Sequence, residues 1–562
     1  MKIKWKHEIK ETENIIPERI FKIILQNRRI KDNDSFLNPP SPLSIHLSDF
    51  GPAKAELKKQ IAKTLKLLEK IKKNSQMIVV YTDYDADGIT GGAILWETLH
   101  LLGFKVMPYV PHRKLEGYGF SDKGIDKVKK LYNPALIISV DHGITAKEKV
   151  TYAKKLGISV IVTDHHLKPE KLPTDAEAIF HIPALSGSGV SYFFSKMIFD
   201  HFKHLSSKVY DLTSYFRTDY LAFASIGSVA DLVPLVGPTR SIIKHGLEVF
   251  RNIKRVGLKE ILKDAGIEGR NVTTYEIGFM IAPRINAVGR LEHAIDALRL
   301  LCTRDPEKAK KLAANVGEKN RERQDMVEQS VKEARLQISI FKSQIPKLII
   351  LVSDKWHEGI IGLIASKIAE EYYRPTIVMT ESDDYLKGSA RSIPSFHITD
   401  FLKSLKTYLI DVGGHKGAAG FTMEKNQVEL FTKKAQKEAN RLIRNKDLER
   451  KIEADIKIPL SKIHIKWVKE LEKLAPFGMG NPQPTFYSEG TLIDAKIFGK
   501  KEEHLRFLIK EDGSFPYEFV SFYTSIQFTE LSKSQKIKLV YTLGINRWNN
   551  EEKVQGKIIN VL

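Results

Sequence analysis

Three aspartates with single-residue gaps, Asp83, Asp85 and Asp87, are the side chains in this sequence best suited to chemistry. They follow the apolar run 77–82, whose β-branched residues predict a buried strand, and they precede a helical pattern over 89–102. Acids at the carboxyl end of a strand lie where ligands bind in open α/β sheets. Crowded carboxylates raise one another's pKa unless a cation neutralises them, and oxygen ligands suit Mg²⁺ or Mn²⁺. For this motif alone, an aspartate-rich turn that binds nothing is the alternative.

The same pattern returns further along the chain. Asp141 follows a second strand-like run, Asp164, His165 and His166 follow a third, and Asp231 ends a later apolar stretch. Helical patterns separate the runs, which predicts parallel strands joined by right-handed crossovers. Such strands would bring all three acidic ends to one edge of the sheet. The repeated pattern therefore favours a shared site over three unrelated turns.

The combined pattern predicts a site for two adjacent cations. Its expected ligands are Asp85, Asp87, Asp141, His165 and Asp231. An imidazole among carboxylates favours Mn²⁺ over Mg²⁺ or Ca²⁺, and two ions about 3.5–4 Å apart can stabilise both reacting oxygens of a phosphodiester. Asp141, on the middle strand, is best placed to bridge the ions. Asp164 would orient the ligating histidine, and His166 would contact the scissile phosphate. The expected catalytic residues are therefore Asp141, Asp164 and His166.

Composition bounds the kind of protein. The chain has 562 residues, a net charge of +21 and a hydrophobic fraction of 42%, which predicts two to four globular domains. The positive charge favours a polyanionic partner such as nucleic acid. The single cysteine, Cys302, excludes internal disulfides and fits the reducing cytosol. No apolar run is long enough for a membrane span, so we expect a cytoplasmic protein with no membrane partner.

Several basic side chains stand in loops marked by glycine or proline. They are Arg113, Arg284, Arg391 and His415. An arginine can grip a phosphate with two parallel hydrogen bonds, which a lysine cannot do. For each one alone, a solvated surface residue is the alternative. The glycine-rich loop of nucleotide-driven motors is absent from the sequence, which argues against that class.

The expected fold class is α/β, with several parts in order. Residues 1–50 predict a helical extension, and residues 51–304 predict the parallel α/β domain that carries the acids. A long amphipathic pattern over 305–346 predicts a connecting helix, because it is too long for an ordinary single domain. Residues 347–446 predict a second α/β domain, and the short alternating runs of 447–562 predict an antiparallel barrel.

The ordered motifs resemble those of the DHH phosphoesterases, and their combination resembles the RecJ family of bacterial single-strand-specific exonucleases. The resemblance covers the chain from about residue 45 onward. The motifs are D-Y-D-A-D-G at 83–88, D-H-G at 141–143, D-H-H at 164–166, V-A-D at 229–231, P-R-I-N-A-V-G-R at 283–290, G-S-A-R-S at 388–392, G-G-H at 413–415 and A-P-F-G-M-G-N-P at 475–482.

The resemblance implies an activity that spacing did not show. Such proteins degrade single-stranded DNA from its 5′ end to 5′-mononucleotides with two Mn²⁺ or Mg²⁺ ions, in DNA repair and recombination. They contain a DHH domain, a DHH-associated domain joined by a long helix, and an OB-fold that holds DNA. A single-strand-binding protein and a helicase are the implied protein partners, and a monomer is the expected state. The alternative is a related phosphodiesterase that cuts short oligonucleotides or cyclic dinucleotides.

The resemblance also assigns residues to parts of the substrate. By analogy, Arg113, Ser389 and Arg391 bind the 5′-terminal phosphate. Arg284 and His415 contact the scissile region. Asp83 is expected to support the ligands without binding an ion itself.

The aromatic residues of the predicted barrel have two possible roles. They are either platforms for stacked bases or fillers of the barrel core. The residues are Phe486, Tyr487, Phe507, Phe519, Phe522 and Tyr523.

Overall fold

A computed structural model describes most of the chain in two compact units. Residues 317–451 form one unit, and residues 3–316 together with 452–562 form the other. Among the described residues, no helix is both long and apolar enough to cross a membrane. The described ranges are 2–10, 17–50, 54–205, 209–342, 344–499, 502–512, 515–522, 534–548 and 551–561.

The N-terminal segment begins with a strand, β1 (Lys2–Glu8), followed by helices α1 (Pro17–Asn27) and α2 (Asn33–Leu37). The prediction of a helical extension is therefore wrong for its first residues. Lysines alternate there with Ile3 and Trp5, which is the period of a strand. The Trp5 ring stacks on Tyr487 with 5.0 Å between centroids, so a long-range contact fixes this strand.

A five-stranded parallel sheet carries the predicted acids. Its order is β3-β2-β4-β5-β6, and every adjacent pair is parallel, as the crossovers predicted. Because all strands run the same way, their carboxyl ends share one edge. The elements are α3 (Lys54–Lys73), β2 (Met77–Thr82), α4 (Ala86–Leu101), β3 (Lys105–Tyr109), α5 (Arg113–Glu116), α6 (Asp122–Tyr132), β4 (Leu136–Val140), α7 (Lys147–Lys155), β5 (Ser159–Asp164) and β6 (Ala178–His181).

Helices complete this domain around a large apolar core that includes β2, β4, α4, α8 and α10. Three of them matter for the site, because α4, α8 and α10 pack on one another. The helices are α8 (Gly187–Phe202), α9 (Val209–Arg217), α10 (Asp219–Ala230), α11 (Gly237–Val249), α12 (Val256–Asp264), α13 (Thr274–Glu276), a π-helical turn (Ile277–Ile281), α14 (Ala282–Leu291) and α15 (Ile295–Cys302).

A buried ion cluster ties the far ends of the helices that carry the acids. The Arg255 guanidinium, which is fully buried, lies 2.9 Å from Glu97 of α4 and 3.4 Å from Asp219 of α10. It also donates to the Leu301 carbonyl at 2.6 Å. Because a buried charge is stable only when paired, each partner depends on the others. The cluster therefore fixes α4 and α10 relative to each other.

Replacing Arg255 with methionine is expected to lower the free energy of unfolding by about 3–5 kcal/mol, because Glu97 and Asp219 would stay buried without a partner. Arg299→Met is the control, since the Arg299–Asp296 pair on α15 is solvent-exposed and worth about 0–1 kcal/mol. Denaturant unfolding of both variants beside the parent measures the difference. Equal losses would contradict the structural role of the cluster.

The second unit contains most of the long helix α16 (Pro306–Ser339) and a five-stranded sheet of order β10-β11-β9-β8-β7. The helix occupies the predicted connecting segment. Strands β7 and β8 are parallel and the other pairs are antiparallel. The elements are β7 (Ile349–Val352), α17 (Ile361–Tyr372), β8 (Thr376–Ser382), β9 (Tyr385–Arg391), α18 (Ile398–Ser404), β10 (Asp411–His415), β11 (Ala418–Glu424) and α19 (Val428–Leu442).

The C-terminal strands form a closed barrel. The sheet runs β1-β12-β13-β14-β15-β17-β16, and a pairing of β13 with β16 closes it. The predicted barrel is confirmed, but the β12–β13 and β15–β17 pairs are parallel. The elements are β12 (Lys451–Lys457), α20 (Ile465–Leu471), β13 (Thr485–Phe498), β14 (His504–Lys510), β15 (Tyr517–Ser521), β16 (Lys536–Trp548) and β17 (Glu551–Val561).

Most of the barrel aromatics fill its interior. Phe486, Phe507 and Phe519 are buried in the barrel core, and Tyr487 is buried in a separate small cluster where Trp5 stacks on it. Phe522 is 39% exposed. The Lys557 ammonium lies 5.3 Å from the centre of the Phe522 ring. Phe522 therefore remains available to a ligand, and Tyr523 lies outside the described residues.

Candidate metal centre

The acid loop joins β2 to α4 and places its carboxylates in different ways. Asp85 caps α4, and its carboxylate accepts the N–H groups of Asp87 and Gly88 at 3.0 Å each. Aspartate is favoured at this position because it satisfies free amide donors of the first turn. Asp83 lies before the cap, is buried, and leaves its Oδ1 atom without a partner among the described residues.

Asp87 connects the acid loop to the start of α8. Its two carboxylate oxygens accept the N–H groups of Gly187 at 2.6 Å and Ser188 at 2.9 Å. The α10 helix closes the other side, where a Cβ atom added to Gly227 would lie 2.2 Å from Asp87 Oδ1. Only glycine permits that approach. Asp87 is thus held by three helices at the edge of the sheet.

Asp141 follows β4 with a φ of 68°, which is the left-handed region. That backbone conformation is costly for most side chains, and aspartate tolerates it better than most. This backbone conformation occurs where the Asp141 carboxylate turns toward the other acids. The helix α8 approaches closely here, since a Cβ atom on Gly187 would lie 2.4 Å from Asp141 Cβ.

His165 lies at the centre of the acids. Its Nε2 atom is 3.1 Å from Asp141 Oδ1, 3.4 Å from Asp231 Oδ2 and 3.8 Å from Asp87 Oδ2. These carboxylates come from a strand end, a helix C-terminus and a helix N-terminus. The structure therefore brings four of the predicted ligands into direct contact.

The side chains fit divalent cations. Three groups each place their ligand atoms within 4.8 Å of one another: Asp83, Asp85 and Asp141; Asp87, His165 and Asp231; and Asp141, His165 and His166. Asp141 Oδ1 and His165 Nε2 are buried and make no hydrogen bond with a described residue. Buried polar atoms without partners are costly, so a cation would satisfy them. Oxygen ligands with one imidazole suit Mn²⁺ or Mg²⁺.

The electrostatics of the cluster also require a counter-charge. Burial raises the pKa of Asp85 and the nearby Asp87 charge raises it further. Burial, followed by the neighbouring acids, also raises the pKa of Asp141 and brings that of Asp231 to about 8. Burial lowers the pKa of His165, which keeps its imidazole in the neutral form that binds metals. Bound cations would lower the pKa of these carboxyl groups again and so stabilise their ionised form.

Asp164 holds the other histidine, not the predicted ligand. Its Oδ1 atom lies 2.8 Å from His166 Nδ1, while it contacts only the backbone N–H of His165. Burial lowers the pKa of His166, but the hydrogen bond and charge of Asp164 outweigh burial and raise it to about 9. We predicted that Asp164 orients the ring of the metal-binding histidine, His165. In the structure Asp164 orients the ring of His166 instead.

Comparison with protein-family models finds three matches along the chain. The DHH family N-terminal domain matches residues 77–215, the DHHA1 domain matches 345–441, and the RecJ OB domain matches 454–560. A single-stranded-DNA-specific exonuclease RecJ from Bacillus subtilis (strain 168) is 34% identical over 85% of this chain.

Solved structures decide the family. The crystal structure of an exonuclease RecJ bound to manganese is 32% identical, and the match covers 68% of this chain and 95% of that one with a TM-score of 0.59. The chain belongs to the RecJ family. RecJ from Thermus thermophilus, in complex with Mn²⁺, has a TM-score of 0.80 at 26% identity, covering all of this chain and 79% of that one. The chain spans 60% of the length of the Bacillus subtilis RecJ relative.

Two of the predicted phosphate-binding arginines, Arg113 and Arg284, lie in the same unit as the acid cluster, and their neighbours differ. Arg113 begins α5, and its guanidinium lies 5.2 Å from the ring centre of Tyr84 in the acid loop. Arg284 donates to the Asp264 carboxylate at 2.8 Å and to the Met280 carbonyl at 2.7 Å. The guanidinium of Arg284 is thus engaged within the protein, and its contact with the scissile region stays a prediction.

The other three predicted substrate residues lie together in the second unit. Arg391 of β9 donates to Ser389 Oγ at 3.2 Å and to Ser366 Oγ at 3.0 Å. His415 of β10 and Arg391 flank Ala418 of β11 at matching positions across the sheet. Ser389, Arg391 and His415 therefore lie at neighbouring positions of this sheet, and their roles toward a substrate stay predictions.

Two residues that support the site were not predicted individually. The Tyr118 hydroxyl lies 3.1 Å from His166 Nε2 and 3.1 Å from the Asp141 carbonyl. Asn286 accepts the Ala86 N–H at 2.7 Å and so holds the acid loop from α14. The motif at 283–290 could have indicated Asn286, but Tyr118 stands in a polar turn with no such signal.

Proposed function

We propose that this chain is a 5′–3′ exonuclease specific for single-stranded DNA, which hydrolyses phosphodiester bonds with two divalent cations and releases 5′-mononucleotides. The supporting observation is the cluster in which His165 Nε2 lies within 4 Å of three carboxylates, in a chain of the RecJ family. Relatives named as single-stranded-DNA-specific exonucleases, and RecJ structures with Mn²⁺ or Mg²⁺, support the substrate and the metals.

The proposed cation ligands are Asp85, Asp87, Asp141, His165 and Asp231, with Asp141 shared between the two ions. Bound cations would neutralise these acids and polarise the phosphodiester. A ligand atom of Asp83 lies within 4.8 Å of those of Asp85 and Asp141, so the geometry would also allow Asp83 to bind an ion. Its supporting role is proposed from the family resemblance alone.

His166 is the proposed contact to the scissile phosphate. Its raised pKa, about 9, favours the protonated imidazole, whose Nε2–H would donate to a phosphate oxygen in place of its contact with the Tyr118 hydroxyl. The hydrogen bond from Nδ1 to Asp164 fixes the ring plane, and Tyr118 meets the other nitrogen. The ring is 42% exposed, which leaves it open to a substrate. Asp164 therefore acts through His166.

Arg113, Ser389 and Arg391 are proposed to bind the 5′-terminal phosphate, and the barrel to hold the strand that follows. The net charge of +21 supports attraction of a polyanion. Because the substrate is unpaired DNA, an activity that separates duplex strands must supply it. We therefore propose a helicase and a single-strand-binding protein as partners of a monomer acting in DNA repair and recombination in the reducing cytosol.

A time course on end-labelled single-stranded DNA tests the proposal. With Mn²⁺ present, a 5′ label should appear at once as mononucleotide, while a 3′-labelled strand should shorten progressively. A chelator should stop both reactions, and a blunt duplex of the same sequence should stay intact. Release of the 3′ label first, or internal cuts, would contradict the proposed polarity.

The same assay separates the alternative. A phosphodiesterase for short oligonucleotides or cyclic dinucleotides has little use for a barrel of about a hundred residues or for excess positive charge. Its turnover on a dinucleotide should exceed that on a long strand. Faster turnover on the long strand would favour the exonuclease.

Replacing Arg391 with alanine is expected to remove the preference for a 5′-phosphorylated end. Loss of a charged hydrogen-bond donor costs about 1.5–3 kcal/mol, so kcat/KM should fall about tenfold to a hundredfold on a 5′-phosphate strand and little on a 5′-hydroxyl strand. The ratio of the two substrates cancels any general loss of folded enzyme. Arg335→Ala, which removes an exposed pair with Glu371 in the same unit, is the control. An unchanged ratio would refute the assignment.

A further inference from the structure

The motif at 475–482 has no role in the chemistry described so far, yet it forms a tightly held turn. Gly478 and Asn481 exchange backbone hydrogen bonds of 2.9 and 3.1 Å. The fully buried Asn481 side chain donates to the carbonyls of Leu474 and Pro476 at 2.8 Å each. We call residues 474–481 the turn segment. These internal hydrogen bonds fix the shape of the turn segment, so it can hold a neighbouring loop in place.

The turn segment contacts the loop that follows Asp231. The Leu235 N–H donates to the Met479 carbonyl at 2.7 Å. Gly480, with a φ of 73°, lies so near that an added Cβ atom would be 3.0 Å from Pro234 Cβ. Leu235 itself is buried. The loop is therefore held by its backbone four residues after a proposed metal ligand.

An arginine at the start of α11 grips the same segment. The fully buried Arg240 donates to the carbonyls of Leu474, Ala475 and Pro476 at 3.0, 2.8 and 3.2 Å. Thr274 adds a bond of 2.6 Å to the Phe477 carbonyl. These contacts hold the C-terminal end of the loop between α10 and α11, and the first turn of α11, to the turn segment.

Asp231 differs from the other proposed ligands in how its carboxylate is placed. Asp85 and Asp87 each accept two backbone N–H groups. The Asp231 carboxylate receives no hydrogen bond from the described residues, and it is 32% exposed at the C-terminus of α10. Its position therefore depends on the backbone at the helix end and on the loop that follows.

We propose that the turn segment is a positioning element for Asp231, so that the C-terminal part of the chain supports the metal centre as well as holding DNA. The inference rests on the proposed function only in treating Asp231 as a cation ligand. Deleting residues 452–562 would then impair metal binding in addition to strand binding, because Leu235 and Arg240 would lose their partners.

Gly480→Ala tests the proposal, with Gly269→Ala as the matched control. Both glycines have nearly the same φ, 73° and 74°, so alanine introduces the same backbone strain. At Gly480 the new methyl meets Pro234, whereas at Gly269 no atom lies within 4 Å. Mn²⁺ binding to the metal-free full chain is measured by titration calorimetry and by the loss of the free Mn²⁺ resonance signal. Melting temperatures of the metal-free variants are measured in parallel.

Gly480→Ala should weaken the binding of one Mn²⁺ about tenfold to a hundredfold relative to Gly269→Ala, the range found when groups that support metal ligands are removed. High Mn²⁺ should restore kcat, with KM for the strand unchanged. Gly478→Ala, whose methyl meets the flexible end of Leu235 at 3.1 Å, should give a smaller loss and serves if Gly480→Ala does not fold. Parental Mn²⁺ affinity in both variants of the turn segment, or an equal loss in Gly269→Ala, would overturn the proposal. Mn²⁺ binding is measured without DNA cleavage. If the parent chain binds Mn²⁺ but cleaves no DNA, the proposed function is contradicted, while the effect of Gly480→Ala on Mn²⁺ affinity still tests this inference.

Discussion

Asp141→Asn is expected to reduce strand hydrolysis by at least about a thousandfold while leaving single-stranded DNA binding intact. Asp141 takes part in two of the three groups of converging ligand atoms, so its loss disturbs both proposed ions. Metal stabilisation of a phosphoryl transition state amounts to several kcal/mol, and each 1.36 kcal/mol is about tenfold in rate. Asparagine is the right replacement, because it keeps the size of the side chain and tolerates the φ of 68°.

Single-turnover cleavage and fluorescence anisotropy of a labelled strand measure the two effects of Asp141→Asn separately. Asp122→Ala is the control, since that carboxylate forms an exposed pair with Lys149 in the same domain. We expect parental rates for the control and a binding constant for Asp141→Asn within a few-fold of the parent. Substantial turnover by Asp141→Asn would remove this residue from the site.

Gly227→Ala is expected to have the second-largest effect, a loss of hydrolysis of about a hundredfold or more. Its methyl would lie 2.1 Å from Ser188 Oγ and 2.2 Å from Asp87 Oδ1. Neither can move easily, because Asp87 is bonded to the amides that start α8. The clash would displace a proposed ligand and add an overpacking cost of about 1–3 kcal/mol.

Gly278→Ala is the control for Gly227→Ala, because it is also a helical glycine but its methyl would only touch Val229 at 3.6 Å. Alanine is favoured over glycine in a helix by about 0.5–1 kcal/mol, so the control should be at least as stable as the parent. Cleavage rate and melting temperature are measured for both variants. Full activity in Gly227→Ala would show that the packing against Asp87 does not matter.

The acid cluster could be predicted because its positions follow from local sequence. Strands β2, β4 and β5 are short β-branched runs; an acid follows β2 and β4 at once and is the last residue of β5. A parallel sheet then brings those ends together without further information. Asp231 was predicted on weaker ground, because its stretch is a helix, and only the packing of α10 on α4 brings its end to the sheet.

What could not be predicted depends on contacts between distant residues. The pairing of Asp164 with His166 rather than with the ring of His165 is a matter of rotamers at the end of β5. Arg284 stands in a family motif, yet Asp264 occupies its guanidinium. Strand β1 is short and pairs with β12, far away in the sequence, so its alternating residues could not show that it joins the barrel sheet. The periodicity of apolar residues predicts where helices and strands lie, but it does not predict which residues they contact.

Anomalous diffraction from crystals of the full chain soaked in Mn²⁺ tests the central claim most directly. The account predicts two manganese peaks at the carboxyl edge of the parallel sheet, with Asp141 bound to both and His165 to one. In Asp141→Asn crystals, at least one peak should disappear. A single distant peak, or none at this edge under saturating Mn²⁺, would contradict the account.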